Sequence, residues 1–344
     1  MVFLCAQKIT NFKGIVMKPT RLKNVLENLL SQRWSAFVWG PPGIGKSAIV
    51  RAVADQAKLP VIDLRASLLD PTDLRGIPAI VNGQAVWCPP SFLPTPKDKP
   101  GVLFLDEINA APPLVQAGLY QLVLDRRVGE YELPKGWWIV AAGNRQQDRA
   151  VTFRMSSALA NRFVHINLDI DVDDWRTWAI SKGIDPLIVS FIGFRPSLLW
   201  EAPGESAAFA TPRSWEMLSD VIASFAGYKN CTDLIPGIVG EGPAREFISF
   251  AKKAANAKQI EAIIADPKDS ALPTTLDGIY VLTSWLAHNA STERVSLAAA
   301  ILLERLPVEF AVVLARDMLR GRPAFARDPS YRDFMKKNAA LITQ

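Results

Sequence analysis

Residues 40–47 read GPPGIGKS, a match to G-x-x-x-x-G-K-[ST], and they lie between the apolar run SAFVWG and the amphipathic stretch KSAIVRAVADQAKL. Few short segments constrain a fold as tightly. Gly43 and Gly45 let the backbone curl until its N–H groups point inward, and the helix that follows places its positive dipole end at the same spot. A strand, a glycine-rich loop and a helix in that order predict a phosphate cradle at the end of a parallel α/β sheet. Gly40, Pro41, Pro42, Gly43, Ile44, Gly45, Lys46, Ser47 and Ala48 form this candidate nucleotide-binding loop. Lys46 is expected to reach the β- and γ-phosphates and Ser47 to ligate Mg²⁺. An ordinary Gly/Pro turn is the bland alternative, and the strand–loop–helix context disfavours it.

The flanking sequence extends the pattern. PVIDL, GVLFLDE, GWWIVAAGN and FVHINL read as further buried strands, with PPLVQAGLYQLVLD as a helix between two of them and TRLKNVLENLL as an amphipathic helix ahead of the first strand. The expected fold class is α/β, a P-loop parallel sheet of Rossmann-like, three-layer type, with an all-helical domain after it. Between the second and third strands, AIVNGQAVW centres on Asn82-Gly83, the strongest short hairpin signal, and a Pro-rich stretch follows. Beyond about residue 190 helix signals dominate. TPRSWEMLSDVIASF offers Thr211 as N-cap with Pro212 in the first turn, and LPVEFAVVLARDMLRGRP opens on Pro307 and stops at Gly321. The domains expected are an extension over 1–18 with disorder allowed, an α/β core over 19–182 with a hairpin insert near 66–100, and a helical region over 183–344.

Composition narrows the chemistry. With 49% hydrophobic and 21% charged residues the chain can bury a substantial core, and no apolar run reaches the length of a membrane span. A cytoplasmic protein without membrane contact is expected. Cys5, Cys88 and Cys231 lack metal or disulfide spacing, and His165 and His288 are too isolated for a metal site or a Ser/His hydrolase. Net charge is +5, from 39 basic and 34 acidic residues, but the cations are scattered, so nucleic acid is compatible and not favoured.

Two further strand ends carry candidate chemistry. VLFLDE finishes an apolar strand on paired carboxylates, an arrangement that needs a reason. Asp106 would hold Mg²⁺ through its water shell, and Glu107 would orient and deprotonate an attacking water. AAGN delivers Asn144, a neutral amide able to hydrogen-bond a γ-phosphate or the lytic water.

GPPGIGKS, VLFLDEINAAPP, IVAAGNRQQD, SSALANRF and TPRSW occur in the order found in the MoxR branch of AAA+ ATPases, a helix-2-insert clade, and the chain resembles that family over roughly residues 20–225. The resemblance implies hydrolysis of ATP with Mg²⁺ at the boundaries of a homo-oligomeric ring, usually a hexamer. It makes Asn144 the sensor 1 residue. It makes Arg213 the sensor 2 residue, reaching from a helical lid, and Arg162 the arginine finger that enters the neighbour's site, with Arg145, Arg149 and Arg154 as alternatives for that role. It places the Asn82-Gly83 hairpin near the pore. Relatives often carry Arg after the Asn that matches Asn109, where this chain has Ala110, so no role of that Arg transfers. The implied function is remodelling or activation of a partner protein, with a von Willebrand factor A (VWA) domain protein as partner. The competing readings are a nucleic-acid motor or loader ATPase and a GTP-using restriction-motor relative, whose Met-Asn-Thr sensor AAGNRQQD does not match. A nucleotide-gated scaffold is disfavoured by Glu107.

Overall fold

The computed structural model describes residues 16–145, 153, 155–204, 206–253 and 257–338, and the chain divides into two compact units after Ile170. The first unit runs β1 (Val16–Met17), α1 (Pro19–Gln32), β2 (Ala36–Trp39), α2 (Lys46–Gln56), β3 (Val61–Arg65), α3 (Pro71–Arg75), β4 (Ile77–Val81), β5 (Gln84–Cys88), β6 (Val102–Asp106), α4 (Pro113–Asp125), β7 (Arg127–Val128), β8 (Tyr131–Glu132), β9 (Trp138–Gly143), α5 (Ser157–Ala160) and β10 (Val164–Leu168). Six strands form one parallel sheet in the order β1-β10-β2-β9-β6-β3. The parallel α/β sheet expected from the strand–helix alternation is therefore present. Val16 and Met17 add an edge strand beside β10, inside the stretch read as an extension, and residues 1–15 lie outside the described residues.

Period-two alternation makes the three layers. Phe37, Leu103, Leu105, Ile139 and Ala141 pack on one side of the sheet with Val115, Leu119 and Leu122 of α4. Ala36, Val38, Phe104, Val140 and Ala142 face the other side, against Leu22 and Leu26 of α1 and Val50 and Val53 of α2. A strand buried on both faces must read as a near-continuous apolar run, which is why VLFL and WIVAA carry no polar residue. β4 and β5 pair as an antiparallel hairpin, and Asn82 (φ 53°) and Gly83 (φ 77°) adopt the left-handed pair a two-residue turn demands. Ile77, Ile80, Val81 and Val86 on that hairpin are exposed.

Among its described residues the second unit holds helices and no strand: α6 (Val172–Lys182), α7 (Pro186–Phe194), α8 (Pro212–Ser224), α9 (Ile235–Val239), α10 (Glu241–Lys253), α11 (Ala257–Ala265), α12 (Leu276–His288), α13 (Glu293–Leu302), α14 (Val308–Gly321) and α15 (Pro329–Lys337). Thr211 caps α8: its hydroxyl accepts the Ser214 N–H at 3.0 Å while the Ser214 hydroxyl accepts the Thr211 N–H at 2.7 Å. α12 packs between α7 and α14. α6 and α14 are joined by a buried ion pair between Arg176 and Asp317, and Arg320 adds a second guanidinium at 2.8 Å. Burial pushes the Asp317 carboxyl upward and the two arginines oppose that shift.

Removing one member of such a pair strands a buried charge. Asp317→Ala is expected to cost about 3–5 kcal/mol in chemical denaturation. Glu246→Ala breaks only the half-exposed contact with Arg195 and is expected to cost no more than about 1 kcal/mol. Equal losses in the two variants would show that the α6–α14 pair does not hold the helical unit together.

Candidate active site

The C-terminal ends of β2, β6 and β9 deliver the candidate residues to one place. β2 lies between β9 and β10, so β6 and β9, whose ends carry the carboxylates and the amide, run on one side of it. Ligands of open α/β sheets bind at such strand ends. The loop after β2 turns through Gly43 (φ 75°) and Gly45 (φ 100°), conformations that a side chain resists, and Gly45 sits at the N-cap of α2. Ile44 is buried with the core on the α1–α2 side, which anchors the loop from below, whereas Ala48 is exposed on the first turn of α2.

Lys46 is the most constrained of these residues. Its side chain runs back under the loop, and Nζ donates to the Gly40 carbonyl at 2.7 Å, the Pro41 carbonyl at 3.0 Å and Asn144 Oδ1 at 2.8 Å. Only 8% of the residue is exposed, so these oxygens replace the water that the ammonium gave up. Ser47 Oγ donates to Asp106 Oδ2 at 3.0 Å, and Asp106 Oδ1 accepts the Glu107 N–H at 2.9 Å. The first turn of α2 and the end of β6 are thereby tied together through the two side chains predicted to hold a metal.

Glu107 has φ 55°, a left-handed conformation uncommon for a residue with a Cβ. Such strain persists where the surroundings over-determine it. Here the carboxylate accepts the Ser67 hydroxyl at 2.5 Å, from the short turn that follows β3. Asn109 is 3% exposed, and its Nδ2 donates to the Asn144 carbonyl at 2.6 Å, which fixes the backbone of the residue whose amide meets Lys46. Ser67 and Asn109 were missed in the sequence. DLRASLL gives no periodic signal for Ser67. Asn109 had a weak one, as a polar residue two positions after the paired carboxylates.

Lys46, Ser47, Asp106, Glu107 and Asn144 thus form one neighbourhood. Arg162 stands outside its hydrogen bonds. Arg162 follows α5, is exposed, and pairs with no carboxylate among the described residues. Arg213 is exposed on the first turn of α8 in the helical unit. Arg145 donates to the Leu168 carbonyl at 2.7 Å and is committed within its own chain. Arg149 and Arg154 lie outside the described residues.

Residues 36–163 match the family model "ATPase family associated with various cellular activities (AAA)". The outer mitochondrial transmembrane helix translocase of Homo sapiens is 31% identical over 107 residues, 30% of this chain and 27% of that protein. Midasin of Giardia intestinalis is 26% identical over 186 residues, 51% of this chain and 4% of that protein. The chain therefore spans about a quarter of the translocase and a small fraction of the midasin. The crystal structure of NtrX from Brucella abortus in complex with ATP is 15% identical, with 94% of this chain and 67% of that chain covered and a TM-score of 0.39.

The close fit around Asn109 yields a structural prediction. A Cβ on Gly143 would lie 2.3 Å from Asn109 Oδ1 and 2.9 Å from the Phe37 ring. Gly143→Ala is expected to lower stability by about 1–3 kcal/mol, as overpacking does. Adding Asn109→Ala should return part of that loss, which a double-mutant cycle would detect as non-additivity. Strict additivity would mean that the two residues do not contend for the same space.

Proposed function

We propose that this chain hydrolyses ATP with Mg²⁺ at the boundaries of a ring of identical subunits and uses the cycle to remodel or activate a partner protein. The observation that carries the reading is the convergence of Lys46, the Ser47–Asp106 pair, Glu107 and Asn144 on the ends of β2, β6 and β9. Each group has a task that its present contacts suit. Lys46 can exchange neutral carbonyl acceptors for charged phosphate oxygens, which makes stronger hydrogen bonds. Ser47 Oγ and Asp106 Oδ2 are hard oxygen donors 3.0 Å apart. Mg²⁺ in phosphate sites commonly takes one or two protein oxygens and fills the rest with water and phosphate, and the pair fits that demand. When bound, the ion neutralises charge on the phosphate oxygens.

Glu107 orients and deprotonates the attacking water. Asn144 offers its amide to the γ-phosphate or to that water once Lys46 engages phosphate. Arg162 reaches the neighbouring subunit's site and Arg213 reaches the phosphates of its own. Supplying one cation from the next subunit makes turnover depend on assembly. The exposed apolar side chains of the β4–β5 hairpin suit contact with a partner protein. The order of the motifs, MoxR-like, supports a hexamer, a cytoplasmic setting and a VWA-domain partner. Among the described residues no helix is long and apolar enough to cross a membrane.

Turnover measured against subunit concentration tests this. The wild-type rate per subunit is expected to fall on dilution through the assembly range. Glu107→Gln should retain ATP binding and lose about 10²–10⁴ in kcat. Arg162→Ala should lose about 10³ or more. Normal turnover in Glu107→Gln, or a rate indifferent to dilution, would overturn the mechanism. Stimulation by DNA that disappears with added salt, without stimulation by any VWA-domain protein, would move the function to a nucleic-acid motor.

A further inference from the structure

His165 is one of two histidines in the chain, and both of its ring nitrogens are committed. Trp39 Nε1 donates to His165 Nδ1 at 2.8 Å, and His165 Nε2 lies 2.7 Å from the Ala160 carbonyl. An indole N–H only donates, so Nδ1 must be the acceptor and the proton must sit on Nε2, which then donates to Ala160. The two partners belong to different elements. Trp39 is the last residue of β2, directly before Gly40, whose carbonyl receives the Lys46 ammonium at 2.7 Å. Ala160 is the last residue of α5, two before Arg162.

The packing repeats the connection. The His165 ring lies within 21° of the Trp39 plane with centroids 5.9 Å apart, Trp39 stacks on Phe37 at 4.1 Å, and Phe163 meets Phe37 edge-on at 5.4 Å. Arg162 is therefore displayed on a turn held on both sides from β2: through the Ala160 carbonyl before it and the Phe163 ring after it.

We propose that His165 is a positioning residue, which through Trp39 and Ala160 ties the turn presenting Arg162 to the strand that launches the same subunit's phosphate loop. The proposal rests on the reading of Arg162 as a residue acting in the neighbouring site. Contact runs from the Lys46 ammonium to the Gly40 carbonyl, to Trp39, to His165 and to the Arg162 turn. A shift of Lys46 between carbonyl and phosphate oxygens is passed along it to the guanidinium offered next door. A core histidine that merely fills space would need its shape but neither hydrogen bond.

Complementation between two inactive variants separates these roles. Glu107→Gln subunits keep their arginine and lack the hydrolytic carboxylate, whereas Arg162→Ala subunits keep that carboxylate and lack the arginine. Mixed, they are expected to recover ATPase activity. Replacing the first by Glu107→Gln/His165→Phe, which keeps an aromatic ring and deletes both hydrogen bonds, should lower the recovered kcat about three- to tenfold, the range for a lost neutral hydrogen bond. KM for ATP should stay unchanged, because the hydrolysing site is untouched. Glu107→Gln/Trp39→Phe removes the indole donor while keeping a ring against Phe37 and should give the same direction of change, and it carries the test if the His165 variant melts earlier than its parent. Equal recovery with and without the His165 and Trp39 substitutions overturns the positioning role while leaving Arg162 in place. No recovery in the parent mixture overturns the reading of Arg162 and this proposal with it.

Discussion

A buried ammonium organises the first unit. Lys46 has surrendered nearly all of its water, and the oxygens that replace it come from the loop on which it sits and from a strand far away in sequence. Because an unpaired buried charge is expensive, the loop, α2 and the end of β9 must all be in register for the fold to be acceptable at this point. The sheet supplies that register. β2 pairs with β9 from Ala36↔Val140 to Trp39↔Gly143, and the next backbone bond, Gly40 N–H to the Gly143 carbonyl at 3.3 Å, carries the alignment into the loop. Stability and the candidate chemistry draw on the same contacts.

The helical unit solves its own version of this problem. Asp317 is fully buried between Arg176 and Arg320, so α6 and α14 meet in one way only. A purely apolar seam could slide by a turn at little cost. A desolvated carboxylate between two guanidinium groups cannot, since any shift leaves charge without a partner.

Strain and close approach mark the places where the α/β core departs from a generic three-layer sheet. Glu107 holds a left-handed backbone beside a strand of ordinary geometry, and Gly143 admits the Asn109 amide into space a methyl group would fill. Both lie at the strand ends that carry the candidate chemistry, where local rules give way to the geometry of the site.

Much of this could be read from residue order alone. A glycine-rich turn between an apolar strand and a helix, an apolar strand ending on two carboxylates, and Asn-Gly between apolar runs each depend on local backbone sterics and burial period, which act over a few residues. GPPGIGKS, VLFLDE and AIVNGQAVW therefore announced the glycine-rich loop, the acidic strand end and the hairpin, and WIVAAGN announced the amide. Only the folded chain could bring Ser67 to Glu107, Asn109 to the Asn144 carbonyl, Trp39 to His165 across 126 residues of sequence, and Arg176 to Asp317 across 141. Those pairings have no local signature, because hydrogen bonds between side chains distant in sequence are set by strand order and helix packing, and these exist only once the sheet and the bundle have formed.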